Sequence, residues 1–131
     1  MAKYFLDANI ILDLIDSDRG NIELTREFVK EAIINSHELC TSCDIFITVY
    51  YVASKKLSSK NIIAEVEKLL TFIDVIAIDI DTIKEAMSLM GEKDDFEDLL
   101  QYVCALRSRS DLIVTNDKNF YRGEIEVHSL K

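Results

Sequence analysis

Short apolar runs and longer amphipathic stretches alternate from one end of this chain to the other, and that alternation limits the fold more than any other feature. Tyr4-Phe5-Leu6, Leu39-Cys40-Thr41, Val75-Ile76-Ala77-Ile78 and Leu112-Ile113-Val114-Thr115 read as strands bounded by polar or turn-forming residues, the third as a buried-type strand. Glu124 to His128 alternates like an edge strand. Between them, apolar residues recur at helical spacing over Asn9 to Asp16, Ile22 to Asn35, about Cys43 to Lys56, Asn61 to Phe72, Ile83 to about Met90, and Phe96 to Arg109. Ser42, Ser58 or Ser59, and Asp81 or Thr82 are the expected caps. Parallel strands need a crossover, usually a helix, to carry the chain back to the starting edge, and such crossovers are right-handed. The expected fold class is therefore α/β: a three-layer sandwich with a central parallel sheet of four or five strands and helices on both faces. At 131 residues and 49% hydrophobic composition, the chain suits a single domain over 1–131 with one core.

That topology places certain carboxylates. In open parallel sheets, ligands bind beyond the C-terminal ends of the strands. Asp7 follows the first strand directly, and Asp117 lies two residues past Thr115. Asp98 falls in the first turn of the helix that feeds the Asp117 strand, and such a helix begins at the edge where strands end. Three acids remote in sequence are thus expected at one rim. Converging carboxylates repel one another unless a cation joins them. Mg²⁺ or Mn²⁺, hard ions that prefer oxygen ligands, would answer that need and would support metal-assisted hydrolysis of a phosphodiester. Asn9 and Thr115 are neutral polar groups at the same edge, suited to holding a ligand carboxylate by hydrogen bonds.

Each acid also has a plainer use. Asp7 or Asn9 would cap the first helix, and Asp95 the helix that carries Asp98. Asp117 would serve as a turn residue. Other chemistries fit less well. Cys40-Thr41-Ser42-Cys43 has the spacing of a redox pair, but the chain has no proline to supply the cis-proline of a thioredoxin-like fold. His37, Cys40 and Cys43 lack a second ligand pair for zinc. Two histidines leave little for a Ser-His-Asp enzyme, and three isolated glycines make no phosphate loop. A phosphatase built on a strand-end aspartate wants a second acid where Asn9 stands.

Three stretches taken in order resemble the PIN domain family. Phe5-Leu6-Asp7-Ala8-Asn9-Ile10-Ile11-Leu12-Asp13 is similar to its opening. Asp95-Phe96-Glu97-Asp98-Leu99-Leu100-Gln101-Tyr102-Val103-Cys104-Ala105-Leu106 and Leu112-Ile113-Val114-Thr115-Asn116-Asp117-Lys118-Asn119-Phe120 resemble its third and fourth motifs. The resemblance implies a Mg²⁺- or Mn²⁺-dependent endoribonuclease. It further implies a toxin of the VapC type, homodimeric and held inactive by a cognate antitoxin. Carried onto this chain, the catalytic and metal-binding acids are Asp7, Asp98 and Asp117, with Asn9 and Thr115 in support. One departure stands out. The family usually has a second acid, most often Glu, in the helix after the second strand, and Thr48 occupies that place. Asp44, one helical turn earlier, and Asp95 are the candidate substitutes. The alternative is a catalytically impaired PIN-like domain that binds RNA or protein.

The net charge of −9 argues against binding nucleic acid through a broad basic face, and no DNA-specific signal is present. RNA contacts are expected to fall on local cations, foremost Lys118 and Arg122 beside Asp117, then Lys55, Lys56, Lys60, Arg107 and Arg109. Tyr50 and Tyr51 would stack on bases or fill a dimer interface. No apolar run is long enough to span a bilayer, Asp7 interrupts the first apolar run too soon for a secretory leader, and three cysteines suggest free thiols. The expected location is the cytoplasm.

Overall fold

The computed structural model describes all residues, 1–131. Its centre is a five-stranded, all-parallel sheet of β1 (Lys3–Leu6), β2 (Glu38–Ser42), β3 (Asp74–Ile76), β4 (Leu112–Val114) and β5 (Glu126–His128), in the order β3-β2-β1-β4-β5. Six helices flank it: α1 (Ala8–Ile15), α2 (Ile22–Ile34), α3 (Asp44–Ala53), α4 (Ser59–Leu69), α5 (Ile80–Leu89) and α6 (Phe96–Arg107). α1 packs against α2, α3 and α4, while α5 packs against α6.

The core lies where the central strands meet these helices. Phe5, Leu6, Ile113 and Val114 have no exposed surface, and neither do Ile10 and Ile11 of α1, Ile45 and Val49 of α3, or Leu99 and Val103 of α6. Each such side chain contributes roughly 1.5–3 kcal/mol on burial, which is why short strands suffice. The two outer strands are largely exposed.

Local chemistry sets the helix ends. Ser58 caps α4 by accepting from the Asn61 amide, as its position suggests. Asp79, rather than Asp81 or Thr82, caps α5: its Oδ1 accepts both the amide and the hydroxyl of Thr82 (each 2.9 Å), so the helix starts three residues earlier than expected. Ser42 is not a cap. It belongs to β2, and its hydroxyl donates to the Asp44 carboxylate. β3 is not a buried strand over 75–78 but an edge strand ending at Ile76, with Val75 39% exposed, because it pairs with β2 alone. α6 stops at Arg107. Arg109 takes a positive φ (60°), and the Ser110 amide bonds back to the Ala105 carbonyl (2.9 Å), closing the helix with a left-handed turn.

Candidate active site

The strand order reverses between β1 and β4, since β2 and β3 extend to one side of β1 while β4 and β5 extend to the other. Beyond the C-terminal ends of two such strands a crevice opens, because their connections leave in opposite directions. Leu6 pairs with Val114, so the next residues, Asp7 and Thr115, emerge side by side, and the Asp7 amide still donates to the Val114 carbonyl (3.0 Å).

Asp7 is 6% exposed and surrounded by donors. Its Oδ1 accepts the Ala8 amide (2.7 Å), capping α1. Its Oδ2 accepts the Thr115 hydroxyl (2.7 Å) and Asn9 Nδ2 (3.3 Å). Thr115 Oγ1, having donated its proton to Asp7, accepts from the Asp117 amide (3.0 Å) and Asn9 Nδ2 (3.2 Å). Asn9 Oδ1 accepts the Asn116 amide (3.0 Å). Asn116 in turn accepts from the Leu130 amide (2.9 Å) and the Ser129 hydroxyl (3.2 Å), so the C-terminal residues brace this loop. Asn9 and Thr115 thus sit against Asp7 as their positions suggest, whereas the bridging role of Asn116 has no signal in the sequence.

Asp98 lies in the first turn of α6, after Asp95, which caps that helix by accepting the Asp98 amide (3.1 Å). No hydrogen bond engages the Asp98 carboxyl, and it is pushed up to about 7, by burial first and then by the charges of Asp95, Asp7, Asp117 and Glu97. Burial also raises Asp7, outweighing the hydrogen bonds from Thr115 and Ala8, and the charges of Asp117 and Glu97 raise it further. Asp117 is exposed and accepts the Asn119 amide (2.9 Å). The charge of Asp117 is therefore felt at both Asp7 and Asp98, and that of Asp7 at Asp98. None pairs with a cation: the salt bridges are Lys3–Glu38, Arg19–Asp13, Lys68–Glu65, Arg107–Asp79 and Arg107–Glu85.

Glu97, also in the first turn of α6, is a site residue that nothing in its local sequence singles out. Its Oε1 accepts the Thr48 hydroxyl of α3 (3.0 Å) and Gln101 Nε2 (3.2 Å). Gln101 is 1% exposed, its Nε2 also reaches Asp44 Oδ2 (3.4 Å), and its Oε1 has no partner. Asp44 is held by Ser42 and Gln101, and it is not among the main charges raising Asp7 or Asp98.

No three of these side chains close into a ready-made metal cage. The donor chemistry nevertheless fits Mg²⁺ or Mn²⁺: every donor is a hard oxygen, the acids repel one another, and Mg²⁺ is commonly held by one or two carboxylates while keeping several waters. Lys118 and Arg122 line a small pocket with Thr115, Asn116, Asp117 and Ser129, and Lys56 and Lys131 line a polar one beside Asn9 and Asn116. Arg107 is not free for a phosphate, being taken up by Asp79, Thr82 and Glu85 of the α5 region. The cysteines are free thiols; Cys40 and Cys104 are buried, and burial pushes Cys104 up to about 12.

The PIN domain model matches residues 4–125, which include every acid of this crevice. The chain belongs to the PIN domain family. A curated relative, Ribonuclease VapC1 of Aquifex aeolicus, is 36% identical over 128 residues, covering 95% of this chain and 88% of its own. Among solved structures, Mycobacterium tuberculosis VapC20, described as a Sarcin-Ricin loop cleaving toxin, superposes with a TM-score of 0.73 at 14% identity over 89% of this chain and 92% of its own. DNA-bound VapBC from Salmonella typhimurium gives 0.72 at 24% identity, with both chains fully covered. At these identities the likeness to the solved structures is one of fold, and the PIN architecture is the one described above.

Proposed function

We propose that this PIN domain is a divalent-metal-dependent endoribonuclease, the toxin of a VapBC-type pair, acting in the cytoplasm as a homodimer under the control of a cognate antitoxin. The observation that carries the reading is the convergence of Asp7, Asp98 and Asp117 at the switch point of the sheet, where the charge of Asp117 raises both Asp7 and Asp98, that of Asp7 raises Asp98, and no cation of the protein neutralises them. The 36% identical relative named Ribonuclease VapC1 supports RNA as the substrate.

Asp7, Asp98 and Asp117 are the residues that would hold Mg²⁺ or Mn²⁺. The bound ion would supply Lewis acidity, activating water and offsetting charge on the phosphodiester. Thr115 and Asn9 aim Asp7 Oδ2 and keep it from rotating, and the Ala8 amide fixes the other oxygen. Asp98, whose carboxyl has no hydrogen-bond partner and is raised to about 7, would be held in its charged form by a bound cation. Asp95 stiffens the turn that presents Asp98, and Lys118 and Arg122 lie where a phosphate next to Asp117 would pass. The acidic crevice also suits a basic antitoxin segment, one arginine of which would take the cation's place.

RNA cleavage by the wild type and by Asp7→Asn, each with and without EDTA, tests the reading. Cleavage is expected only in wild type with free divalent ion, and activity surviving both changes would rule the mechanism out. A second reading, a binding module that has lost catalysis, is favoured by Thr48 at the second-acid position. A melting temperature unmoved by Mn²⁺ would support the module, since a native-state ligand must raise it.

A further inference from the structure

We propose that Glu97 replaces the acid that Thr48 displaces, reaching from the first turn of α6 to the α3 position to serve as the fourth carboxylate of the cation site; this rests on the metal-dependent reading above. A threonine cannot extend a carboxylate toward the crevice from α3, but its hydroxyl can hold one. Thr48 Oγ1 lies 3.0 Å from Glu97 Oε1, so the carboxylate stands one hydrogen bond beyond where the α3 side chain ends.

A second donor, Gln101 Nε2, reaches the same oxygen from one turn further along α6 (3.2 Å). Two donors on two helices thus secure Oε1, while no hydrogen bond engages Oε2. The Gln101 amide is buried, and turning its nitrogen toward Glu97 and Asp44 leaves its oxygen without a partner. A buried amide left half-satisfied is unusual unless what it holds matters. A surface glutamate that merely favours the helix dipole needs no such support. Glu97 is also near enough for its charge to be felt at both Asp7 and Asp98, unlike Asp44, which Ser42 and Gln101 hold. Thr48 and Gln101 are therefore positioning residues for Glu97.

Calorimetric titration of the full chain with Mn²⁺, paired with thermal melting, tests the assignment without relying on cleavage. Wild type is expected to bind, and E97Q to bind roughly tenfold or more weakly, in the range known for groups that orient or complete a metal site. T48E placed in the E97Q background is expected to recover most of that loss, because it returns the carboxylate to α3. Glutamine is isosteric and position 97 is exposed, so circular dichroism of E97Q should match wild type. If E97Q binds Mn²⁺ as wild type does while D98N does not, the assignment of Glu97 fails and the cation site stands. Loss in E97Q without recovery by T48E would also overturn the replacement. Absence of Mn²⁺ binding by wild type would overturn both.

Discussion

Asp7 holds two roles that sequence reasoning set against each other. One oxygen caps α1 and the other is aimed into the crevice by Thr115 and Asn9. A strand-end aspartate has two oxygens, and a parallel sheet gives each a different neighbour. Asp98 is the more exposed to test. Its folded value rises from 3.8 to about 7, so between those values the folded protein keeps a proton that the unfolded chain releases. Unfolding is then favoured as pH climbs through that window, and the penalty levels off above it. Melting of metal-free protein should therefore show Asp98→Asn gaining on wild type from pH 4 to about 7, with a constant advantage beyond. A difference that is flat with pH would refute the electrostatic account. Asp7, Asn9, Asp98, Thr115 and Asp117 could all be named from their places after strands or at a helix start. Glu97 could not, because its partner Thr48 is 49 residues away on another helix.

At the scale of elements, the helices were legible in period and the ends were not. α5 is capped at Asp79 because that carboxylate finds two donors on Thr82, although Asp81, two residues on, has the same side chain. β3 has the β-branched composition of a buried strand, and only its place at the sheet edge leaves it exposed. The turn ending α6 carries a testable cost. Arg109 holds a positive φ that a side chain disfavours and glycine does not. Arg109→Gly should raise stability by about 0.5–1 kcal/mol in urea unfolding. The turn delivers the chain to β4, where Asp111 accepts the Lys3 amide (2.9 Å), so a loss on substitution would mean that the arginine side chain contributes more than its backbone strain.

The whole molecule leaves apolar surface uncovered. Ile47 and Tyr51 of α3 lie one helical turn apart and are 77% and 67% exposed. An apolar stripe of this kind on a helix already packed on its other side suits a second copy of the chain. Light scattering of the purified protein should give twice the chain mass, and Ile47→Glu with Tyr51→Glu should return the monomer without unfolding it. A wild-type monomer at micromolar concentration would count against homodimerisation. The net charge of −9 belongs to this scale too. It disfavours a broad nucleic-acid face, so cleavage should depend on Lys118 and Arg122, which lie beside Asp117.

The alternation of strand and helix was enough to dictate a parallel sheet with covered faces, because local periodicity and the need for crossovers are both properties of neighbouring residues. It also sent Asp7, Asp98 and Asp117 toward one rim, since strand direction alone decides which ends face that way. Strand order could not be read from the chain: that β4 lies beside β1, setting Thr115 against Asp7 at the mouth of the crevice, follows from pairing across 108 residues. Nor could the meeting of Thr48, Gln101 and Glu97, which depends on how α3 and α6 come together and on which donors burial leaves without water.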